Sequence, residues 1–248
     1  MPMLNMRVSS PAALIDINRI ETLRGIEDRP DCVRVGAMTR YVELQESAVI
    51  RAHVPLLAMA LPLVAHVAIR NRGTIGGSLC LSDPAAETPA CCVAAQAQIV
   101  LAGPSGCRTV AAEDFAIGLY ETERQPDEIL VEVLFPKAVS GRIFFVDEFS
   151  RRKGDFAIVG LAGSIRDKGS TVNDPRLVFF GSDNRPILAH AAAAAIDGRP
   201  WSDAVRQAAS ESLDDDLDPM DSIHASANYR RRLAKVLLSR VITRALAS

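Results

Sequence analysis

The chain has 248 residues, of which 48% are hydrophobic and 23% are charged. This composition fits a globular protein of one large or two ordinary domains, and it excludes a disordered, collagen-like or coiled-coil chain. The 28 basic and 30 acidic residues leave a formal charge of -2, so no overall field draws the chain to nucleic acid or an anionic membrane. Any anion site must therefore be local.

The amino terminus and the cysteines favour a cytoplasmic protein. Residues 1–11 hold no basic segment followed by an apolar run, and the apolar stretch 56–69 is too short to cross a bilayer. The five cysteines are an odd number without a Cys-x-x-Cys spacing, and the four histidines are scattered. We therefore expect a reduced chain with no transmembrane segment and no metal site of its own.

Apolar runs and turn residues divide residues 1–140 into short elements. Thr39 is the expected N-cap of a helix through Glu46, and Asp83 with Pro84 predicts the start of a helix to about Ala95. A helix interrupted near its prolines is expected over 50–67. Strands are expected at 13–17, 98–101, 107–110 and 129–135, with 103–106 as a hairpin turn.

A domain boundary is expected near residue 140, which gives domains 1–140 and 141–248. Strands at 143–150, 156–166 and 177–181, with a turn at 168–170, predict a three-stranded antiparallel sheet. Helices at 188–196, 202–212 and 222–246 follow, so the fold class is α+β with a small helical bundle.

In the last helix, one apolar face is expected from Tyr229, Leu233, Val236, Leu237 and Val241, and a solvated basic face from Arg230, Arg231, Arg240 and Arg244.

A glycine-rich segment, residues 69–78 (IRNRGTIGGS), carries the strongest functional signal. Glycines let the main chain approach a ligand closely, and successive N–H groups in such a turn can converge on an anion. Hydroxyls of Thr74 and Ser78 add donors, and Arg70 and Arg72 add positive charge. The spacing matches neither a dinucleotide-binding Gly-x-Gly-x-x-Gly nor a P-loop. By itself the segment fits a nucleotide site or a structural loop.

The wider stretch IRNRGTIGGSLCLSDPAAETPA resembles the signature of the flavoprotein (medium) subunits of molybdenum hydroxylases, the carbon monoxide dehydrogenase and xanthine dehydrogenase family. Four further blocks, in the family's order, are similar to it: residues 3–20, 127–136, 148–165 and 224–240. The resemblance implies a two-lobed FAD-binding domain, of the kind found in vanillyl-alcohol oxidases, followed by the smaller α+β domain.

The resemblance also implies which residues contact FAD. The main chain and hydroxyls of 74–78, namely Thr74, Ile75, Gly76, Gly77 and Ser78, would hold the diphosphate and the adjoining ribityl chain. Glu87 stands where the family has an acid, usually aspartate, that accepts hydrogen bonds from FAD hydroxyls. Leu130 matches a position whose backbone addresses the flavin or adenine end.

A basic loop, residues 151–155 (RRKGD), corresponds to a family segment near the isoalloxazine ring. Arg151 would stabilise negative charge on reduced flavin, whereas a surface loop with Asp155 in an ion pair is an equal alternative. No role is expected for Asp147, where some relatives place a lysine.

The resemblance implies that this chain is an electron-transfer subunit with FAD as its only cofactor. A small subunit with two [2Fe-2S] clusters and a large subunit with the molybdenum cofactor would be its partners, in a dimer of heterotrimers. Electrons would pass from the clusters through FAD to an external acceptor. The alternatives are a flavin-free scaffold subunit that docks through residues 142–248 and, less favoured, a free-standing flavin oxidase.

One departure from the family concerns the start of the chain. Relatives begin about 40 residues earlier, with a strand-helix-strand unit and an Ala-Gly-Gly loop that binds the other side of the diphosphate. Without that loop, two to four charge-assisted hydrogen bonds of about 1.5–3 kcal/mol each would be missing, so weak FAD retention and an uncovered apolar strand at 13–17 are expected.

Overall fold

The computed structural model describes residues 4, 7, 10–167, 169 and 171–247. In this part of the chain two large antiparallel sheets pack around a shared core, and β5 and β6 form a separate two-stranded sheet. The strands are β1 (Ile26–Asp28), β2 (Cys32–Gly36), β3 (Gln98–Gly103), β4 (Gly106–Ala111), β5 (Ala116–Gly118), β6 (Glu121–Thr122), β7 (Ile129–Pro136), β8 (Arg142–Phe149), β9 (Val159–Asp167), β10 (Thr171–Phe180), β11 (Ile187–Leu188) and β12 (Arg199–Pro200). The helices are α1 (Tyr41–Glu46), α2 (Ala48–His53), α3 (Pro55–Ala60), α4 (Val67–Arg70), α5 (Ile75–Leu81), α6 (Glu87–Ala94), α7 (Ala112–Phe115), α8 (His190–Ile196), α9 (Asp203–Asp216) and α10 (Ala227–Leu246).

The first sheet has the order β1-β2-β7-β3-β4, and all of its pairs are antiparallel. Its β3-β4 hairpin closes with Gly103 opposite Gly106, as the glycine-proline turn predicts. Strand β7 lies at the centre, where its apolar residues Val133 and Phe135 are fully buried. A register shift between β3 and β7 leaves Val131 free to accept a hydrogen bond from the amide of Ala37, at 2.9 Å.

The second sheet has the order β11-β10-β9-β8, with β12 added beside β10. Its three long strands form the predicted meander, and the two short strands of two residues each were not predicted. Lys168 and Ser170 of the predicted turn lie outside the described residues. One face of this sheet packs on α6 and α3, and the other packs on α8 and α10.

Helix α6 is the element that the two sheets share. Every one of its residues is buried, and the residues after Thr88 have small, apolar side chains. A helix that is apolar all round is stable only when neighbours surround it, and here it contacts β9 and β10, α3, α5 and α7. The guanidinium of Arg176 in β10 donates to the carbonyl of Val93 at 3.1 Å. It thus supplies a hydrogen-bond donor to a carbonyl in the last turn of the helix.

Three expected elements in the first half differ from the structure. Residues 13–17 form no strand, because no described strand lies beside them; Leu14 and Ile15 are 66% and 87% exposed. The N-cap of α1 is Arg40 and not Thr39. The Thr39 hydroxyl instead donates a hydrogen bond to the carbonyl of Gly25, at 3.1 Å. Asp83 and Pro84 form a turn, and helix α6 starts later, at Glu87, after an extended Ala86.

The expected apolar face of the last helix is also only partly right. Leu237 and Val241 are buried, but Tyr229 and Val236 are 48% and 54% exposed. The buried face of α10 is displaced around the helix and includes Arg230, which was expected in solvent. This displacement follows from the docking of α10 on β8 and β9.

Arg230 holds three segments together from its buried position. Its guanidinium donates to the carbonyls of Ile158 and Gly181 and to the hydroxyl of Ser222, the last at 2.7 Å. The side chain therefore connects the residue before β9 (Ile158), the turn after β10 (Gly181) and the segment before α10 (Ser222). A buried guanidinium is tolerated when carbonyls accept its N–H groups in this way.

Replacement of Arg230 by methionine should lower the free energy of unfolding by about 2–5 kcal/mol, because two buried carbonyls lose their donor. Arg232→Met on the exposed side of the same helix is the matched control and should change stability by less than about 0.5 kcal/mol. Urea denaturation of both variants measures the difference. Equal midpoints for the two variants would contradict a structural role for Arg230.

Candidate functional site

The glycine-rich segment begins a helix, and Thr74 is its N-cap. The Thr74 hydroxyl accepts a hydrogen bond from the amide of Gly77, at 3.2 Å. Three further amides of the segment donate to main-chain carbonyls: Ile75 to Thr39 at 3.2 Å, Gly76 to Ala37 at 2.8 Å and Ser78 to Thr74 at 3.1 Å. These hydrogen bonds thus connect the start of helix α5 to the segment that follows β2.

The amides of Ile75, Gly76, Gly77 and Ser78 all have hydrogen-bond acceptors within the protein, so the expectation that they are free to converge on an anion is wrong. These amides are used to start the helix and to bind it to the segment after β2. Glycine spacing alone suggested an open turn, but a threonine N-cap followed by an apolar residue is also a helix start. What the segment offers a ligand is its exposed surface at Gly77, with the hydroxyls of Thr74 and Ser78 beside it.

The two adjacent glycines have different environments. A Cβ on Gly76 would lie 2.7 Å from the Cβ of Ala37 and 2.8 Å from its carbonyl oxygen, so packing requires glycine there. A Cβ on Gly77 would meet only the Thr74 hydroxyl, at 3.0 Å, the oxygen that caps the helix, and Gly77 is exposed with an ordinary helical backbone. Glycine in a helix costs about 0.5–1 kcal/mol relative to alanine, so packing does not explain Gly77.

Tyr41 connects this helix start to the start of α6. Its buried hydroxyl is hydrogen-bonded to the Thr88 hydroxyl at 2.9 Å, and the Ser78 hydroxyl lies beside it. Burial raises the pKa of Tyr41 well above its usual value, so the phenol stays protonated and can donate. The structure therefore brings Ser78 and Glu87, two of the predicted site residues, to neighbouring helix ends.

Glu87 is a buried acid without an ionic partner among the described residues. Its side chain is 4% exposed, and burial raises its pKa to about 7, with a smaller contribution from the charge of Asp83. Ser82 Oγ and Glu148 Oε2 are among the buried side-chain polar atoms of the described chain that have no hydrogen-bond partner. Such unsatisfied groups are costly in a folded protein and are typical of a site that receives a polar ligand.

Leu130 lies on the central strand β7 and is 3% exposed. Helix α5 packs on this strand, and the thiol of Cys80 lies beside the Leu130 backbone. The structure therefore brings the Leu130 backbone next to α5, although the leucine side chain itself belongs to the core.

Arg151 and Asp155 lie on the exposed loop between β8 and β9. Gly154 in this loop sits against His66, the residue before α4, since a Cβ there would be 2.7 Å from its ring. Arg151 donates to the carbonyl of His224, at 3.2 Å. Within the described chain, Arg151 and Asp155 form no ion pair and no hydrogen bond to residues 74–87, so the alternative of an Asp155 ion pair is not observed.

Arg70, which was expected to add positive charge near the ligand, forms hydrogen bonds within the protein instead. Its guanidinium donates to the carbonyls of Val64 and Ala65, both at 2.8 Å, and so stabilises the turn before α4. Arg72 remains exposed at the end of that helix. Only Arg72 of this pair is placed as the sequence predicts.

Sequence reasoning missed Tyr41, Ser82 and Glu148. A signal for Glu148 was present, since Phe144 and Val146 pack on the core around α6 and residues two apart on a strand share a face. Asp147 points to the other face, where it pairs with Arg240 at 3.0 Å and Arg244 at 3.3 Å. No sequence pattern marks the hydroxyls of Tyr41 or Ser82.

A cavity of about 250 Å³ lies elsewhere, between the segment around His53 and strands β8 to β10, and none of the predicted site residues lines it. Its cationic side chains already have acidic partners. Lys137 pairs with Asp28 at 2.6 Å, Arg142 pairs with Asp174, and Arg176 pairs with Glu113 at 2.6 Å. Because these cations are already paired, the helix starts of α5 and α6 are the better candidate site.

Comparison with known families decides the identity. Residues 1–138 match the family described as FAD binding domain in molybdopterin dehydrogenase, and residues 144–245 match the CO dehydrogenase flavoprotein C-terminal domain. The chain belongs to this family of flavoprotein subunits. The predicted membership, the oxidoreductase class and the FAD cofactor are thereby confirmed.

Individual relatives agree with this assignment. The chain is 34% identical to the carbon monoxide dehydrogenase medium chain of Hydrogenophaga pseudoflava, over 100% of this chain and 86% of the relative. It is also 34% identical to the 6-hydroxypseudooxynicotine dehydrogenase complex subunit alpha of Paenarthrobacter nicotinovorans, over 99% of this chain and 83% of the relative. A solved carbon monoxide dehydrogenase from Hydrogenophaga pseudoflava superposes with a TM-score of 0.95 at 36% identity, over 99% of this chain and 86% of that chain.

The superposition confirms a mixed α/β fold of the flavoprotein-subunit type. The names of the relatives cover a gas and a nicotine derivative, so family membership does not fix the substrate of the assembly. Among the described residues, no helix is both long and apolar enough to span a bilayer.

The two glycines should respond differently to alanine. Gly76→Ala should lower the free energy of unfolding by about 1–3 kcal/mol, because its Cβ would overlap the Ala37 backbone. Gly77→Ala should leave stability unchanged or raise it by up to about 1 kcal/mol, since alanine favours the helix. Chemical denaturation distinguishes them, and a similar loss in both variants would show that Gly77 also serves packing.

Proposed function

We propose that this chain is the FAD-binding electron-transfer subunit of a cytoplasmic molybdenum hydroxylase. Its partners are a small subunit with two [2Fe-2S] clusters and a large subunit with the molybdenum cofactor, assembled as a dimer of heterotrimers. Electrons pass from the clusters through FAD to an external acceptor. The absence of disulfides among its five cysteines agrees with a reducing compartment.

The observation that carries the FAD site on this chain is Gly77. It is an exposed glycine inside a helix, one turn from the helix N-cap, and a Cβ there would contact only the capping hydroxyl of Thr74. Absence of a side chain at such a position permits close approach of a ligand to the main chain. Family membership identifies FAD as that ligand, so we place the diphosphate against Thr74, Gly77 and Ser78, with Ile75 and Gly76 holding the helix start in position.

The surrounding polar groups fit a ligand that carries hydroxyls. Glu87 and Ser82 are buried at the start of α6, without ionic partners in the described chain, and can accept or donate hydrogen bonds. We therefore assign Glu87 to the hydroxyls of FAD. The backbone of Leu130 closes the side of the site that helix α5 packs on.

The basic loop is assigned to the flavin end of the site. Arg151 and Asp155 are exposed on the second domain, beside the segment that leads into helix α4. A guanidinium at this end stabilises negative charge on the reduced ring. We keep the domain boundary near residue 140 and the two-lobed, vanillyl-alcohol-oxidase-like description of the first domain as parts of this proposal.

Bound FAD supplies a carrier that exchanges electrons singly with iron–sulfur clusters and singly or in pairs with an acceptor. The residues of this chain then bind and orient the cofactor and set the charge around it. Substrate oxidation takes place on the large subunit, so this chain requires no general base or nucleophile for that reaction.

Gly77→Leu tests the site directly. Leucine favours a helix but places bulk on the exposed surface, so FAD affinity should fall by at least about tenfold, equivalent to about 1.4 kcal/mol, while the melting temperature is maintained. FAD fluorescence titration of the purified chain, and of the assembled complex, measures affinity. Ala204→Leu, which adds bulk at an exposed position of α9, is the matched control and should bind as the unmodified chain does.

Two outcomes would count against the proposal. Unchanged FAD affinity in Gly77→Leu would remove the diphosphate from this helix start. A colourless complex in which the unmodified chain assembles with its partner subunits but binds no FAD would support the alternative of a flavin-free scaffold.

A further inference from the structure

A second binding site is indicated by the cavity of about 250 Å³ that lies between the segment around His53 and strands β8 to β10. Part of its lining is apolar and belongs to the core. Val54, Leu56 and Ala94 are each at most 5% exposed, and Phe144 packs against the same cluster. The strands supply charged side chains beside this apolar surface. Small-molecule sites commonly combine an apolar lining with a few polar groups in this way.

The charged part of the lining follows from the register of the second sheet. Arg142 on β8 lies directly opposite Arg166 on β9. Two residues along the same face, Ser164 of β9 lies opposite Arg176 of β10. Residues two apart on a strand share a face, so the three arginines lie at one end of the face that packs on α6. Like charges directly opposite each other on neighbouring strands repel, so this arrangement requires anions nearby.

The carboxylates around the cavity are fewer than its permanent cations. Asp174 serves two arginines, because Arg142 donates a hydrogen bond to it and Arg166 Nε lies 3.6 Å from the same oxygen. This is the one ion pair of Arg166 within the described chain, and its Nε is buried without a hydrogen-bond partner. The four permanent cations are Lys137, Arg142, Arg166 and Arg176, and the three carboxylates paired with them are Asp28, Asp174 and Glu113. One positive charge, at Arg166, therefore lacks a carboxylate of its own.

Two lining residues also have a backbone conformation that is uncommon for residues other than glycine. The φ angles of Gln96 and Asp174 are 55° and 48°. At Asp174 this conformation belongs to a bulge, since the pairing of β10 with β9 shifts between Asn173 and Arg176. The amide of Asp174 donates to the carboxylate of Asp197, at 2.8 Å, which holds the bulge in place. Bulges and strained residues are over-represented next to functional sites.

We propose that this cavity binds a small carboxylate that carries an apolar group. The ligand carboxylate lies beside Arg166, where a guanidinium can donate to both oxygens, and the apolar group lies against Val54 and Leu56. A carboxylate brings the single negative charge that the cavity lacks, whereas a phosphate group brings about two. The ligand contacts both halves of the chain and so stabilises their packing. None of the residues placed against FAD lines this cavity, so the inference goes beyond the proposed function.

The first experiment compares benzoate with benzamide, a neutral molecule of nearly the same shape, at constant ionic strength. Benzoate should bind the purified full chain with a dissociation constant of about 1 mM or lower, measured by isothermal titration calorimetry. At about tenfold excess over that constant it should raise the melting temperature by about 2–4 °C. Benzamide should do neither. Formate, which has a carboxylate but no apolar group, should bind at least about tenfold more weakly than benzoate.

Arg166→Gln tests the charged half of the site. The Arg166 side chain is 43% exposed and its one ion pair is long, so the variant should fold. Its dissociation constant for benzoate should rise at least about tenfold, because the ligand loses its charge-assisted hydrogen bonds. Arg232→Gln, which removes an exposed arginine of α10, is the matched control and should bind benzoate as the unmodified chain does.

Four results would overturn the proposal. No saturable benzoate binding, or equal affinity in Arg166→Gln and the unmodified chain, would remove the site from this cavity. Tighter binding of inorganic phosphate than of benzoate would overturn the carboxylate class. Benzoate binding by the isolated chain that is lost in the complex with its partner subunits would show that a partner fills the cavity. The FAD titrations of Gly77→Leu are independent of all four, so either proposal can fail alone.

Discussion

The complete burial of helix α6 determines the rest of this structure. The helix is enclosed by core residues of both sheets, and its small side chains, mainly alanine, cysteine and valine, allow close approach from every side. Its carboxyl end is satisfied by Arg176, a cation placed where the helix dipole favours one. Its amino end carries the helix's two polar side chains, Glu87 and Thr88. Polar groups that cannot reach bulk solvent require partners, and Thr88 finds one in the hydroxyl of Tyr41.

Much of the sheet structure could be predicted from the sequence because alternation and turn residues are local signals. The β3-β4 hairpin, the central strand β7 and strands β8 and β9 have about the expected positions, whereas β10 begins at Thr171, six residues before the expected strand. Residues 13–17 are as apolar as a strand, but a strand requires a hydrogen-bonded neighbour, which no local pattern reveals. The buried face of α10 likewise depends on the strands that it docks on, and burial of Arg230 on carbonyls of Ile158 and Gly181 is a tertiary effect.

The site illustrates the same limit. Glycine content at 74–78 correctly indicates a place where the main chain is approached closely, but it does not tell whether the approaching atoms belong to a ligand or to the protein. In the structure Ala37 packs on Gly76, whereas Gly77 faces outward.

Glu87 shows how two opposing effects are balanced at this site. As the first residue of a helix it lies where the dipole stabilises a negative charge, by about 0.3–1 kcal/mol and up to about 2 kcal/mol when partly buried. Its pKa is nevertheless raised from 4.5 to about 7, which corresponds to about 3 kcal/mol against the charged form. Desolvation therefore outweighs the dipole, and the helix start holds a readily protonated acid. A ligand that brings hydroxyl groups without positive charge is compatible with such an acid, whereas a cationic ligand would favour its ionised form.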